Sequence, residues 1–201
     1  TVTSLTPSVC TISDRTLTSI AAGTCRVRAA QAGNDNYSAA DTAEATVDVA
    51  TQPVTLSGLS ASKVYDGDTS ASVTGTPELS GVLDGDEVTV AGSISSARYD
   101  SVRAGSRIVT ISGLSLSGAQ AANYRLVTTI AGEISQASQT LSLHLPDGLT
   151  YGESKDFTGS ASSGLTPEIT SLTPEVCTVS DHTLAAIAAG TCRVKAVQLG
   201  N

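Results

Sequence analysis

Large apolar side chains are scarce in this chain of 201 residues. It has no Trp, no Met and a single Phe, and aromatic residues make up only 3% of it. Domains of about 85 residues without such side chains are only marginally stable unless a covalent link or another device supports them. The many Thr, Ser, Val, Ala and Gly residues favour short strands over helices. The composition therefore predicts small all-β domains that need a further source of stability.

Basic residues are also few. The chain has 11 Lys and Arg against 19 Asp and Glu, which gives a net charge of −8 and a pI of about 4.5. This balance argues against a nucleic-acid partner and against anionic membrane surfaces. There is no apolar run long enough to span a bilayer, no signal peptide and no initiating Met. We expect the chain to be a window of a longer protein.

One stretch of the sequence occurs twice. The text from Val9 to Arg28 returns as Val176 to Lys195, shifted by 167 positions (177 − 10, and again 192 − 25). The match stays in phase from Val2 to the last residue, Asn201. A repeat of this length indicates a segment of a tandem array.

The repeated stretch holds all four cysteines. Cys10 and Ile12 share one face of a predicted strand, and Cys25 shares a face with Val27, whereas the charged residues between them point the other way. A disulfide within each copy, Cys10–Cys25 and Cys177–Cys192, fits this pattern and would stabilise its copy by roughly 3 kcal/mol. The rival interpretations are a metal site and a reactive thiol, but the cysteines form no CxxC pair and His182 is replaced by Arg15 in the first copy. An even number of paired cysteines favours an oxidising, extracellular compartment.

Turn-forming residues divide the chain into three predicted domains. Residues 1–51 form the back of a cysteine-containing module and include a closing strand at 45–49. Residues 52–137 form a module without cysteine, with strands predicted at 54–59, 70–75, 87–92, 107–114 and 125–134. Residues 138–201 form the front of the next cysteine-containing module.

The text of these modules resembles known families. Residues 9–40 look like the bacterial immunoglobulin-like repeats of large surface proteins, and 149–152 and 163–167 are similar to MBG modules of the YGX type. Residues 63–67, 81–86 and 117–124 resemble the YDG domain. The resemblance implies an all-β fold of tandem Ig-like β-sandwich modules in a repetitive rod, and a role as spacers in bacterial adhesins and secreted filamentous proteins. It carries over no catalytic residues and no cofactor.

Acidic turns, histidines and lysines are the candidate chemical sites of the chain. The turns at 65–68 and 84–87 are predicted to be solvated hairpin turns, with Ca²⁺ at a module junction as the alternative. His144 and His182 lie in no GxSxG context, so the chain is not expected to be an enzyme. An isopeptide crosslink from Lys63, Lys155 or Lys195 to Asn is a further alternative, although Asn is rare.

Each module type has an Asn-Tyr pair late in its sequence. Tyr37 and Tyr124 are predicted to be structural rings with hydrogen-bonded hydroxyls, and sugar stacking is the alternative.

The sequence thus predicts a spacer of a secreted, cell-surface protein. Its partners would be neighbouring repeats or other copies, arranged head to tail, with residues 138–201 of one copy against 1–51 of another, or with the same contacts made within a continuous polymer. The alternative function is a module that itself binds glycan or a host protein.

Overall fold

The computed structural model describes all residues, 1–201, and its regular secondary structure is almost entirely β-strand. Its only helix is a single 3₁₀ turn, Ala121–Asn123. No helix in this protein has the length and hydropathy needed to cross a membrane. The chain forms two compact units, residues 1–136 and 137–201.

The first 51 residues of unit 1 form two small antiparallel sheets. Strand β4 lies between β1 and β5, and β2 pairs with β3 in a hairpin. Their bounds are β1 Val2–Ser4, β2 Cys10–Ser13, β3 Thr16–Ser19, β4 Gly23–Ala29 and β5 Ala43–Val49.

The rest of unit 1 is a curled, half-barrel sheet of six strands in the order β10-β6-β11-β9-β8, with β7 also paired to β6. The pairs that β6 makes with β10 and β11 are parallel, and its pair with β7 is antiparallel. Their bounds are β6 Gln52–Val64, β7 Val73–Ser80, β8 Thr89–Tyr99, β9 Gly105–Ser117, β10 Tyr124–Val127 and β11 Thr129–Ser135.

Glycine irregularities accompany the curl of this sheet. The register of β6 on β7 shifts between Ser57 and Leu59, where Gly58 adopts a φ of 72° close to the backbone of Thr76. A second shift separates Gly92 from Ser96 on β8. Such bulges bend strands and increase their twist, so they let the long strands β6, β8 and β9 wrap around one core.

That core has few large side chains, as the composition predicts. Only two aliphatic residues of Ile size, Ile111 and Ile134, are fully buried there, together with Val109. Tyr99 supplies the largest ring of the cluster and is 3% exposed.

Unit 2 consists of short strands. β17 lies between β13 and β16, while β12 pairs with β14 and β15 with β18, all antiparallel. Their bounds are β12 Leu141–His144, β13 Ser154–Asp156, β14 Thr158–Ala161, β15 Glu168–Ser171, β16 Cys177–Ser180, β17 Thr183–Ala186 and β18 Val194–Val197.

The expected all-β class is therefore present, with differences in detail. The strand predicted at 125–134 is two strands, because the chain passes at Thr128 from the first half of β6 to its last residues. Thr128 itself stays bonded to β9, since its carbonyl accepts from the Ile111 N–H at 2.8 Å. The strand predicted at 70–75 lies later, at Val73–Ser80. The end of unit 1 at residue 136 falls next to the predicted boundary, whereas residues 1–51 and 52–136 share one unit.

Candidate functional site: two disulfide turns

Both cysteine pairs form disulfides in the structure. Cys10 joins Cys25 across a Cα–Cα separation of 5.7 Å, and Cys177 joins Cys192 across 5.5 Å. We call residues 4–27 the first disulfide turn and residues 171–194 the second. In the first disulfide turn both cysteines are completely buried. Each disulfide links a hairpin strand, β2 or β16, to the strand that follows the hairpin or to the residues that lead into it.

The backbone of the two disulfide turns follows the same hydrogen-bond pattern. The N–H of Cys10 donates to the Thr6 carbonyl at 3.0 Å, and that of Cys177 donates to Thr173 at 3.0 Å. The residue that follows the second strand of each hairpin also bonds back. The Ile20 N–H donates to the Val9 carbonyl at 2.8 Å, and the Ile187 N–H donates to the Val176 carbonyl at 2.9 Å. The repeat in the text is thus a repeat in local structure.

Hydroxyl groups surround the buried sulfur atoms. The Ser4 hydroxyl lies 3.4 Å from Cys10 Sγ, and the Thr6 hydroxyl lies 3.8 Å from it. Because a disulfide sulfur carries no proton, the hydroxyls donate. Thr6 Oγ1 also accepts from the Arg26 N–H at 2.9 Å.

The second disulfide turn has the same contacts from Ser171 and Thr173, at 3.4 and 3.7 Å from Cys177 Sγ. The sequence interpretation did not identify these residues. Their signal is the Ser-Leu-Thr-Pro text that precedes Cys10 and Cys177 in phase.

The two disulfide turns differ in what covers them. Leu184 of the second is 3% exposed and packs with Phe157 and Cys177, whereas Leu17, its counterpart in the first, is 42% exposed. Val2 is 53% exposed on the same part of the molecule. Val47 lies opposite Cys25 in the β4–β5 pair, on the inner face as expected, but it is 48% exposed. The first disulfide turn therefore carries an open apolar face.

A side chain of the middle module, residues 52–137, hydrogen-bonds to the first disulfide turn. Asn123, in the 3₁₀ turn, accepts a hydrogen bond from the Ala22 N–H through Oδ1 at 3.0 Å. The donor and acceptor are 101 residues apart in the sequence. This contact fixes the hairpin end of the first disulfide turn against the module that follows it, and no local pattern in the sequence predicts it.

The acidic turns considered for Ca²⁺ are engaged by protein groups. Lys63 Nζ lies 2.7 Å from Asp66 Oδ1 and 2.6 Å from the Asp68 carbonyl. The hydrogen bond from Lys63 lowers the pKa of Asp66, and the Ser70 N–H lowers that of Asp68. The chain has no group of three or more His, Cys, Asp or Glu side chains that could hold a metal ion.

In the second acidic turn, Asp86 accepts a hydrogen bond from the Tyr124 hydroxyl. This bond raises the pKa of Tyr124, which is 6% exposed and accepts from the Leu83 N–H at 3.1 Å. Tyr124 is thus the structural ring that was predicted. The same prediction is wrong for Tyr37, which is 76% exposed, because its Gly/Asn-rich turn has nothing packed over it.

The histidines and lysines are dispersed. His182 packs edge-on against Phe157 with ring centroids 6.5 Å apart, and His144 ends β12. Lys155 donates to the Gly148 carbonyl at 2.9 Å and lies 3.3 Å from Glu153, while Lys195 lies on β18. None of these contacts joins a lysine to an Asn side chain.

Unit 2 also has a groove of about 470 Å³ beside its disulfide. Tyr151, which is 74% exposed, Leu149, Ala188 and Ala189 are among the residues that line it.

Comparison with known proteins finds a family model that matches the middle module. Residues 50–131 match the family model of the YDG domain, which supports the YDG resemblance of that part. No curated protein gives a significant match. Among solved structures, the chain is similar to the structure of surface layer protein SbsC, domains 1-6, at 16% identity and a TM-score of 0.22. This similarity covers 97% of the chain but 29% of that protein's chain.

Proposed function

We propose that the chain is a structural repeat segment of a secreted bacterial adhesin or extracellular filament, where it acts as a disulfide-linked spacer. The observation that carries this proposal is the stretch that recurs after 167 positions (177 − 10), whose two copies adopt the same disulfide turn in register. In such an array each module contacts mainly its neighbours, so length grows with the number of repeats while stability stays local. Neighbouring repeats or further copies, head to tail, are its partners.

Two properties support this role. Each disulfide closes a loop of 15 residues, which compensates for a core with few large side chains and suits an extracellular setting. The net charge of −8 disfavours association between parallel rods.

We also propose that the cysteine-containing modules are Ig-like sandwiches of the MBG type. The first disulfide supports it, since Cys25 lies on β4 of one sheet and Cys10 on β2 of the other. A bond between facing sheets is a feature of many Ig-like domains.

The chain alone and the chain extended by one or two further copies of residues 35–201 test the spacer role, since Asn201 is the counterpart of Asn34 (201 − 34 = 167) and these additions keep the period. We expect the largest dimension in small-angle X-ray scattering to increase by a constant amount per copy, with an unchanged thermal midpoint. A dimension that grows far more slowly than the copy number, as in a collapsed globule, would contradict the proposal.

A second candidate function, glycan binding, is favoured by the exposed Tyr151 ring at the groove of unit 2, since exposed rings stack on sugars. Binding of the chain to a glycan array, lost in Tyr151→Ala and kept in Tyr37→Ala, would support it. A glycan array without signal would contradict glycan binding and would not affect the proposed spacer role.

A further inference from the structure

The first disulfide turn has a strand edge without a partner. β3 pairs with β2 alone, whereas β17, its counterpart in unit 2, lies between β16 and β13. Side-chain exposure differs in the same sense as strand pairing, since Leu17 on β3 is 42% exposed and Leu184 on β17 is 3% exposed. The sequences of the two hairpins are near-copies, so the difference arises from what lies against them.

In unit 2 the cover comes from residues 141–161, which we call the cover segment. Its strand β13 places Lys155 opposite Leu184. The Ala186 N–H donates to the Glu153 carbonyl at 2.9 Å, and the Phe157 N–H donates to the His182 carbonyl at 2.8 Å. The Phe157 ring, 3% exposed, then packs on Leu184 in the same cluster.

We propose that the edge of β3 and the apolar face around Leu17 bind a segment of this same type, an extended strand followed by an aromatic residue, supplied by the repeat directly before it in the array. Adding a strand to an exposed edge gives main-chain hydrogen bonds, and the aromatic position gives specificity. This inference rests on the proposed function, since it requires further repeats of the same kind.

The residue at position 15 fits this occupant. In unit 2, His182 packs edge-on against Phe157 with ring centroids 6.5 Å apart. The first copy has Arg15 in place of His182, so the aromatic residue of the occupant would meet a guanidinium, which is attracted to the face of an aromatic ring. An exposed strand edge with an adjacent apolar face is otherwise prone to unspecific pairing.

The cover segment of a second copy of this chain is a poorer occupant. That segment already covers Leu184 of its own unit. Its transfer to Leu17 of another molecule would uncover one face in order to cover the other, with no net gain in buried surface.

The test is a fusion that places an extra copy of residues 137–167 directly before Thr1 of the full chain. This junction preserves the repeat, because Glu168 is the counterpart of Thr1 (168 − 1 = 167). We expect amide exchange in β3 to slow by about a hundredfold, toward the rate in β17, since an edge is paired and Leu17 becomes buried. Strand β17 of the same molecule serves as the internal standard for a folded chain.

The matched control is the same fusion with Phe157→Ser in the added copy only, which should lose most of that protection. Unchanged exchange in β3 of the unmodified fusion, with β17 still protected, would overturn the proposal. So would protection of β3 in the unfused chain that rises with protein concentration, because it would assign the edge to a second copy. Either result leaves the scattering test of the spacer role standing, so the two failures are distinguishable.

Discussion

Reduction of the disulfides should lengthen the chain under force by an amount that the structure sets. With Cys10–Cys25 intact, a pulled chain bypasses the segment between the two cysteines, which have a sequence separation of 15. Fully extended, 15 residues span about 50 Å. The disulfide itself bridges 5.7 Å between the Cα atoms, so its loss should release about 45 Å of chain.

The second disulfide has the same loop length and a Cα–Cα separation of 5.5 Å, so both together should release about 90 Å. Reduction also removes the loop-closure contribution of each bond, about 3 kcal/mol for a loop of this length. We therefore expect the reduced chain to unfold at lower force and to reach a greater final length.

The assay is single-molecule pulling of the full chain through handles at its two ends, with and without a reductant. Variants separate the two bonds. The double variant Cys10→Ser, Cys25→Ser should gain only about 45 Å on reduction, and the same gain should remain when Cys177 and Cys192 are replaced instead.

Equal final lengths with and without reductant would refute the reasoning, since they would mean that the cysteines are not paired within each copy. A gain much larger than about 90 Å would indicate pairing between the copies, because that crosslink would enclose most of the chain.

Three further predictions concern single side chains. Leu184→Ala should destabilise unit 2 by about 2–5 kcal/mol because it leaves a cavity at a buried site. Leu17→Ala, at the equivalent exposed position, should cost about 1 kcal/mol or less. Amide exchange in the two hairpins measures both free-energy losses, and equal losses would contradict the difference in burial between Leu17 and Leu184. Asp86→Asn should lower the pKa of Tyr124 in an ultraviolet titration, because the Asp86 hydrogen bond is the main cause of its rise. Since that pKa is higher in the folded state, the stabilisation is complete below the ordinary value of 10.0 and is lost as pH rises through the folded value; a wild-type chain without extra alkaline destabilisation relative to Asp86→Asn would count against this. Asn123→Ala should speed amide exchange at the hairpin end of the first disulfide turn about fivefold to tenfold, for a hydrogen bond of about 1 kcal/mol, whereas Asn123→Asp keeps the acceptor and should keep the protection.

The sequence predicts local features well where the residues alternate. Cys25 and Val47 were placed on inner faces from their period of two, and the structure puts them opposite each other. The phase of the repeat likewise gives the pairing of the cysteines, because each copy contains two of them.

The sequence pattern did not predict contacts between residues far apart in the chain. The break at Thr128 arises because the chain changes from one half of β6 to the other, and a run of apolar residues does not reveal its partners. The contact of Asn123 with Ala22 joins residues that no periodicity relates.

The sequence also did not predict how deeply the two disulfide turns are buried. Leu17 and Leu184 have nearly the same neighbours in the sequence, yet only Leu184 is buried, since its cover comes from residues that precede its own copy. For the same reason the pattern alone did not reveal that Tyr37 would be exposed while Tyr124 is enclosed.

The parallel neighbours of β6 bear on how the middle module would carry tension. Its entry strand begins at Gln52, and its exit strand β11 ends at Ser135, next to Val64 at the far end of β6. A load applied at these two ends acts along the strands in shear, so the rungs that join β6 to its parallel partners share it at once instead of opening one by one. A module with this strand arrangement resists extension through its topology and needs no disulfide to do so.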